Sequence, residues 1–405
     1  MRHFNLNRFI AEHVTGRDES LFEQDLRDNH ELLAERINGK SALVIGGAGT
    51  IGSSFVRALL RFTPRRLYVI DTNENGLTEL TRDIRSSVGL NVPDDYKPYP
   101  INFGDEVFPK IFRNEAPFEI VANFAAHKHV RSEKDHYSIE AMVDNNVLKA
   151  SKLLELLLEQ PPKHFFCVST DKAANPVNVM GASKKLMEEV ILSYSDRLKI
   201  STARFANVAF SNGSLLYGFL ERMMKQQPLS SPSDVRRYFV SPEESGQLCL
   251  LACVLGESGD IFYPKLSEDR MITFSSIAED FLREYGGYTA RNYADPAEAR
   301  KAALHLSPAA REYPVHFFSS NTSGEKQFEE FYTEDELVDR DRFVELGVIK
   351  NAPRKTIAEV RSMTDELRQL FRSKDTDKAA IVELITNFIP NFEHIETGRS
   401  LDQKM

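Results

Sequence analysis

Thr170, Asp171 and Lys172 set a hydroxyl, a carboxyl and an amine side by side. Each can give or take a proton, which suits acid–base work on a hydroxylated substrate. For the carboxyl to donate near neutral pH it needs burial or a like-charge neighbour; for the amine to accept, it needs desolvation. The competing reading of the pair is an exposed turn with a helix cap. Farther along, Met180 stands four positions before Lys184. A thioether cannot handle a proton as a phenol does, so proton chemistry near Lys184 falls to other groups.

A second constellation is Gly46-Gly47-Ala48-Gly49-Thr50-Ile51-Gly52, which follows the apolar run Ala42–Ile45 and opens a helix. Glycines at 46, 49 and 52 let a backbone approach a pyrophosphate that a Cβ would block. The helix start behind them offers free N–H groups and a positive dipole end. Asp71 ends the next apolar run, 71 − 52 = 19 residues past Gly52. A carboxylate there accepts from adenosine ribose hydroxyls and repels a 2′-phosphate, which predicts NAD as cofactor rather than NADP. The competing reading of Asp71 is a helix N-cap. Asn102 and Phe103, at a third strand end, are expected to frame the adenine, and Ala125 to let the backbone reach the cofactor.

Positioning these residues requires a repeating scaffold. The runs Ala42–Ile45, Leu67–Ile70, Ile120–Ala122, His164–Val168 and Ile200–Phe205 alternate with helical patterns at 53–61, 138–159 and 184–195. Short apolar strands alternating with helices predict an α/β fold: a Rossmann-type, doubly wound parallel sheet covered on both faces. A helical arm is expected at 1–40, the NAD-binding domain at 41–206, a smaller mixed α/β substrate lobe at 207–345 and a helical extension at 346–405. The chain has 405 residues, 41% hydrophobic and 27% charged, with a net charge of −9. That balance argues against a nucleic-acid binder. Cys167, Cys249 and Cys253 sit in apolar runs without metal-ligand spacing and are expected to be buried and reduced. His127 and His129 complete no ligand set, so no metal is expected. No apolar run is long enough to span a membrane and no signal-peptide pattern opens the chain, so a cytoplasmic protein is expected.

These stretches together resemble the extended short-chain dehydrogenase/reductase superfamily, and within it the bacterial polysaccharide-type nucleotide-sugar 4,6-dehydratases. The resemblance runs over about residues 20–345. It is carried by Gly46–Gly52, Phe124–Val130, Asn145-Asn146-Val147, Ser169–Pro176, Asn178–Lys184, Arg204–Val208, Arg237–Phe239 and Gly324–Lys326. In most of the superfamily a tyrosine stands where this chain has Met180; methionine there is a pattern of the larger dehydratases that retain configuration at C5.

The resemblance implies UDP-N-acetylglucosamine as substrate. It implies an internal redox reaction: oxidation at C4, loss of water across C5 and C6, and reduction at C6 with the cofactor regenerated. Lys184 is expected to bind the nicotinamide ribose, Asp171 to protonate the departing 6-hydroxyl, Lys172 to remove the C5 proton and Thr170 to hydrogen-bond O4. Lys128, Asn207, Arg237 and Glu325 are expected to hold the nucleotide sugar, with Arg236 an alternative to Arg237. The stretch Phe210–Ser214, the pair Pro264-Lys265 and residues 288–311 depart from the pattern and leave the exact sugar open. A homodimer or higher homo-oligomer is expected, pairing helices 138–159 and 184–195. Two other readings stand beside this one: a 4-epimerase of the same fold, and a catalytically silent NAD-binding scaffold.

Overall fold

The computed structural model describes residues 4–320, 330–350, 352–374 and 376–395. Its centre is one nine-stranded sheet. The strands are β1 (Ser41–Ile45), β2 (Arg66–Asp71), β3 (Asp95–Pro100), β4 (Ile120–Asn123), β5 (His164–Val168), β6 (Ile200–Ala203), β7 (Asp260–Pro264), β8 (Val338–Asp339) and β9 (Leu346–Ile349). They lie in the order β8-β9-β7-β6-β5-β4-β1-β2-β3. β1 to β7 run parallel; β9 pairs antiparallel with β7 and β8 with β9. All five residues of β1 and of β5 are buried, as a sheet covered on both faces demands. The carboxyl ends of the parallel strands therefore share one edge. The order reverses between β1 and β4, which opens a crevice there.

Several expected boundaries move, each for a physical reason. The helix expected from 184 runs Val179–Ser193, with the Asn178 side chain accepting from the Gly181 N–H as its cap. A Cβ on Gly181 would lie 2.6 Å from the Lys172 carbonyl oxygen. The helix start thus presses directly on the Asp171-Lys172 turn, and Lys184 lies inside the helix. The long helix at 136–157 contains a π turn at Asp144–Leu148; such turns concentrate at functional sites. Strand β7, from later in the chain, extends the main sheet beside β6. All three cysteines are free and buried.

A second, smaller core gathers Phe9, Phe210, Phe219, Phe281, Tyr313 and Val315. It carries a three-stranded parallel sheet in which Glu312–Phe318 lies between Thr289–Asn292 and Leu229–Pro232. The divergent stretch 288–311 supplies the strand Thr289–Asn292 and the helix Pro296–Leu304. The N-terminal arm serves both cores. Phe9 meets Phe210 and Phe281 edge-on, whereas Phe22, Leu33 and Ile37 pack on the main core. Arg17 joins the arm to Glu244 at 2.8 Å.

The helical face expected to pair with a second subunit is covered within the chain. Helices Ile357–Arg372 and Lys378–Phe388 pack against helices 136–157 and 179–193, with Arg361 on Glu155 at 2.7 Å and Tyr194 hydrogen-bonded to the same carboxylate. Those two helices therefore do not offer the bare dimer surface that the sequence suggested. Among the described residues no helix is long and apolar enough to cross a membrane.

Candidate active site

The glycine loop fills the crevice at the strand-order reversal. Gly46 has φ +75°, and a Cβ on it would lie 2.4 Å from the Ala125 backbone nitrogen; a Cβ on Gly52 would lie 2.2 Å from the Gly46 carbonyl oxygen. These two glycines allow the loop to fold onto itself and onto the end of β4. Gly49 is different, since the nearest atom to its Cβ position is a van der Waals contact at 3.6 Å. It faces open space at the start of helix Thr50–Leu59, where a pyrophosphate would meet N–H groups. Asp71 accepts from the Ala48 N–H and the Asn73 N–H, both at 2.9 Å. It is not the helix cap, because Asn73 caps the helix Glu74–Ser86. The donor set and the open cradle fit a dinucleotide. Ile51 packs against the main core. Phe103 is buried in that core, and the Asn102 amide oxygen closes a turn on the Gly104 N–H at 2.8 Å. Ala125 is held by the Asn123 side chain at 3.1 Å.

The expected catalytic groups lie just past β5, on the same edge. Asp171 is 4% exposed, and the Lys172 side chain is 19% exposed with its Nζ 3.1 Å from Asp171 Oδ1. The Thr170 hydroxyl donates to that same oxygen at 2.7 Å, and the Lys172 N–H at 2.9 Å. The exposed-turn reading is therefore wrong: hydroxyl, carboxylate and amine converge on one buried oxygen. Lys184 is buried, and its Nζ donates to the Val168 carbonyl at 2.6 Å. Burial lowers its pKa below the ordinary lysine value. Met180 is buried within the same helix.

Sequence reasoning missed the groups that hold this assembly. Asn146, in the π turn, donates to Ser183 Oγ at 3.0 Å and to the His127 carbonyl at 2.9 Å, tying the segment after β4 to the Lys184 helix. Buried Glu133 accepts from the Val179 N–H at 2.8 Å, with His394 3.7 Å from the same carboxylate oxygen. The segment around His394 straps the catalytic turn. Glu393 N–H donates to the Pro176 carbonyl, Ile395 N–H to the Val177 carbonyl, and the Asn391 amide to the Ala174 carbonyl. Behind the turn, fully buried Arg204 is gripped by Glu188 and Glu336 at 2.7 and 2.8 Å. Burial alone would lower the Arg204 pKa, but the two carboxylates outweigh it and push it higher.

A cavity of about 990 Å³ opens between the sheet edge and the second core. Lys128 and Asn207 line it. The Asn207 amide nitrogen, Arg222 Nε and Ser230 Oγ are buried in its lining residues without a partner among the described residues. Protein atoms crowd the Lys128 ammonium, which donates to the Asn212 carbonyl at 2.9 Å, and desolvation lowers its pKa. Asn212 N–H in turn donates to Thr50 Oγ1 at 2.9 Å, so the 210–214 loop bridges the cofactor helix and the cavity. That loop holds Phe210 at φ +53°, a costly conformation for a non-glycine residue. Arg237 is 6% exposed and donates to the Arg236 carbonyl, Arg236 is exposed on the Met271 carbonyl, and neither is among the residues that line this cavity. Glu325 lies outside the described residues. Arg222 and Ser230 had no signal in the sequence, because only the tertiary fold brings them to the cavity.

Comparison with known proteins agrees with this geometry. The family described as polysaccharide biosynthesis protein matches residues 42–351. The chain is 30% identical to the uncharacterized membrane protein MJ1061 of Methanocaldococcus jannaschii over 76% of this chain and 85% of that protein. It is 29% identical to the capsular polysaccharide biosynthesis protein CapD of Staphylococcus aureus over 70% of this chain, spanning only 46% of CapD. It is 26% identical to an inverting UDP-N-acetylglucosamine 4,6-dehydratase of Campylobacter jejuni over 56% of this chain and 68% of that enzyme. Among solved structures, Pen from Bacillus thuringiensis matches with a TM-score of 0.61 at 19% identity, over 82% of this chain and 98% of Pen. A UDP-glucuronic acid 4-epimerase from Bacillus cereus, solved with UDP-glucuronic acid and NAD, matches at 0.57 and 16% identity, over 82% and 99%. These two share the fold. With that fold, the glycine crevice and a family match across three quarters of its length, the chain belongs to the polysaccharide biosynthesis protein family.

Proposed function

We propose that the chain is an NAD-dependent nucleotide-sugar 4,6-dehydratase acting on UDP-N-acetylglucosamine, with C5 configuration retained. One observation carries the reading: Asp171 and Lys172 form a buried pair at the carboxyl end of β5, beside a helix that has Met180 where a proton-handling phenol would serve an epimerase. The 26% identity to a UDP-N-acetylglucosamine 4,6-dehydratase supports the dehydration; that relative is named inverting, so retention at C5 rests on Met180 alone.

Gly49, the start of helix Thr50–Leu59, Asp71 and Lys184 would hold NAD. When bound, it supplies reversible hydride exchange with the sugar. The protein's part is proton management. A carboxylate–ammonium pair and a carboxylic acid–amine pair differ only in where one proton sits along the 3.1 Å contact of Asp171 and Lys172. With Lys172 as the free amine, Thr170, already hydrogen-bonded to Asp171, passes the O4 proton to the Asp171 carboxylate, which gives the second form. Lys172 then takes the C5 proton, Asp171 gives its proton to the leaving O6, and Lys172 returns a proton to C5 as C6 is reduced, which restores the starting pair. Lys128, Asn207 and Arg237 bind the diphosphate and sugar.

The test is incubation of purified protein with UDP-N-acetylglucosamine in heavy water. The expected product has lost one water and carries deuterium at C5, with no net NADH. An unchanged mass with inverted C4 would establish the epimerase reading. No product, with the dinucleotide bound, would leave the silent scaffold.

A further inference from the structure

At the opposite edge of the sheet, where β1, β5 and β6 begin, lies a second cleft of about 320 Å³. It is lined by Glu35, Arg36, Lys40, Lys163, His164 and Lys199. Four cations face one small space in a chain whose net charge is −9. Arg36 donates to the Val254 carbonyl at 2.9 Å. Among the described residues, none of the four cations pairs with a carboxylate within 4.0 Å.

A solvated basic rim is the ordinary explanation for such a cluster, and His164 argues against it. His164 is among the residues that line the cleft, it is 6% exposed, and its Nδ1 is buried without a hydrogen-bond partner among the described residues. A buried polar atom of that kind is costly until something fills its hydrogen bond. Burial, Lys199, Arg36 and Lys163 together hold the His164 pKa down to about 4. The ring is therefore neutral near pH 7, and a neutral imidazole can still donate one hydrogen bond. Several cations around a buried donor make a receptor for a compact, multiply charged anion.

We propose that this cleft binds a small phosphate-type anion, inorganic phosphate or diphosphate. Its volume suits such an anion, and no phenylalanine or tyrosine lines it to stack a nucleobase. Arg36 and Lys40 come from the end of the N-terminal arm, Lys163 and Lys199 from the residues entering β5 and β6. An anion here would pin the arm to the sheet, roughly 15 Å along the strands from the catalytic edge. The assignment is independent of the reaction catalysed at that edge.

The experiment uses the full chain, with NAD saturating so that the glycine crevice is not an alternative phosphate site. Inorganic phosphate and diphosphate are titrated separately, following the melting temperature and the ring signals of the histidines by NMR. The expected result is a saturable rise in melting temperature and a shift of one histidine signal that is missing in His164→Gln. Lys163→Gln with Lys199→Gln should weaken binding at least tenfold while leaving NAD affinity unchanged. Arg36→Gln alone, at a partly exposed position, should weaken it severalfold, and serves if the double variant folds poorly. No saturation at millimolar concentrations, or equal binding by wild type and variants, would overturn the proposal. A tighter response to diphosphate than to phosphate would identify the physiological size of the ligand within the same proposal.

Discussion

The two walls of the active site are built on opposite principles. The cofactor wall is complete in itself: Gly46 and Gly52 allow backbone to press on backbone, and Asp71 is already occupied by the Ala48 and Asn73 N–H groups. The substrate wall is left unfinished. Asn207, Arg222 and Ser230 present buried polar atoms with no partner among the described residues, and Phe210 holds a strained backbone beside them. A group that stays bound through every turnover calls for a rigid seat. A group that enters and leaves can be held by donors whose desolvation is relieved only on its arrival.

The Asp171-Lys172 turn, which we propose is catalytic, should give the largest effect. Asp171→Asn removes the shared oxygen's charge and its proton capacity, and should lower kcat by about 10²–10⁴-fold with NAD affinity unchanged; steady-state kinetics and a dinucleotide titration check this. If NAD affinity fell equally, the turn would belong to the cofactor wall. Next come the glycines. Gly52→Ala drives a Cβ into the Gly46 carbonyl, which should cost about 1–3 kcal/mol of stability and about 100-fold in activity through loop displacement. Gly49→Ala has room in the protein, so it should lose NAD affinity with no change in melting temperature. Equal destabilisation by both variants would erase the distinction between packing and cradle.

On the substrate wall, Arg237→Lys keeps the charge and loses the fork, and should raise KM about tenfold. Asn207→Ala should raise KM about three- to tenfold while leaving the melting temperature unchanged or higher, because an unpaired buried amide is removed. The smallest effect is a displacement in pH. Burial lowers the Lys184 pKa, so its ammonium is lost at a lower pH than for an ordinary lysine. Activity should fall as pH rises through that lowered value, and Lys184→Arg, if it binds NAD, should move the alkaline limb upward. A limb that does not move would release Lys184 from the role.

What could be read from the sequence follows the same division. The cofactor wall is local: an apolar strand, a glycine loop, a helix and Asp71 arrive in one stretch, and each was legible. Asp171-Lys172 was legible too, although its burial was not. Strand β3 was placed only by its end near Asn102-Phe103 and its run was not delimited, since Asp95-Tyr-Lys-Pro-Tyr-Pro100 is an edge strand whose prolines and exposed charges erase the apolar pattern. The start of helix Val179–Ser193 was misjudged because Gly181 reads as a breaker, when it is the residue that lets the helix touch the catalytic turn. The substrate wall was hardest to read. Arg222 and Ser230 are ordinary residues made special by segments far away in the chain, as are Glu133 and His394 on the other side.

The strap from Asn391 to Ile395 has a consequence in time. It grips the carbonyls of Ala174, Pro176 and Val177, yet it is synthesised 391 − 176 = 215 residues later. At about 5–20 residues per second that is a wait of roughly 10–40 s. During translation the nascent chain would own its dinucleotide crevice well before this clamp on the Asp171-Lys172 turn exists, so any chemistry that needs the clamped turn would wait for it.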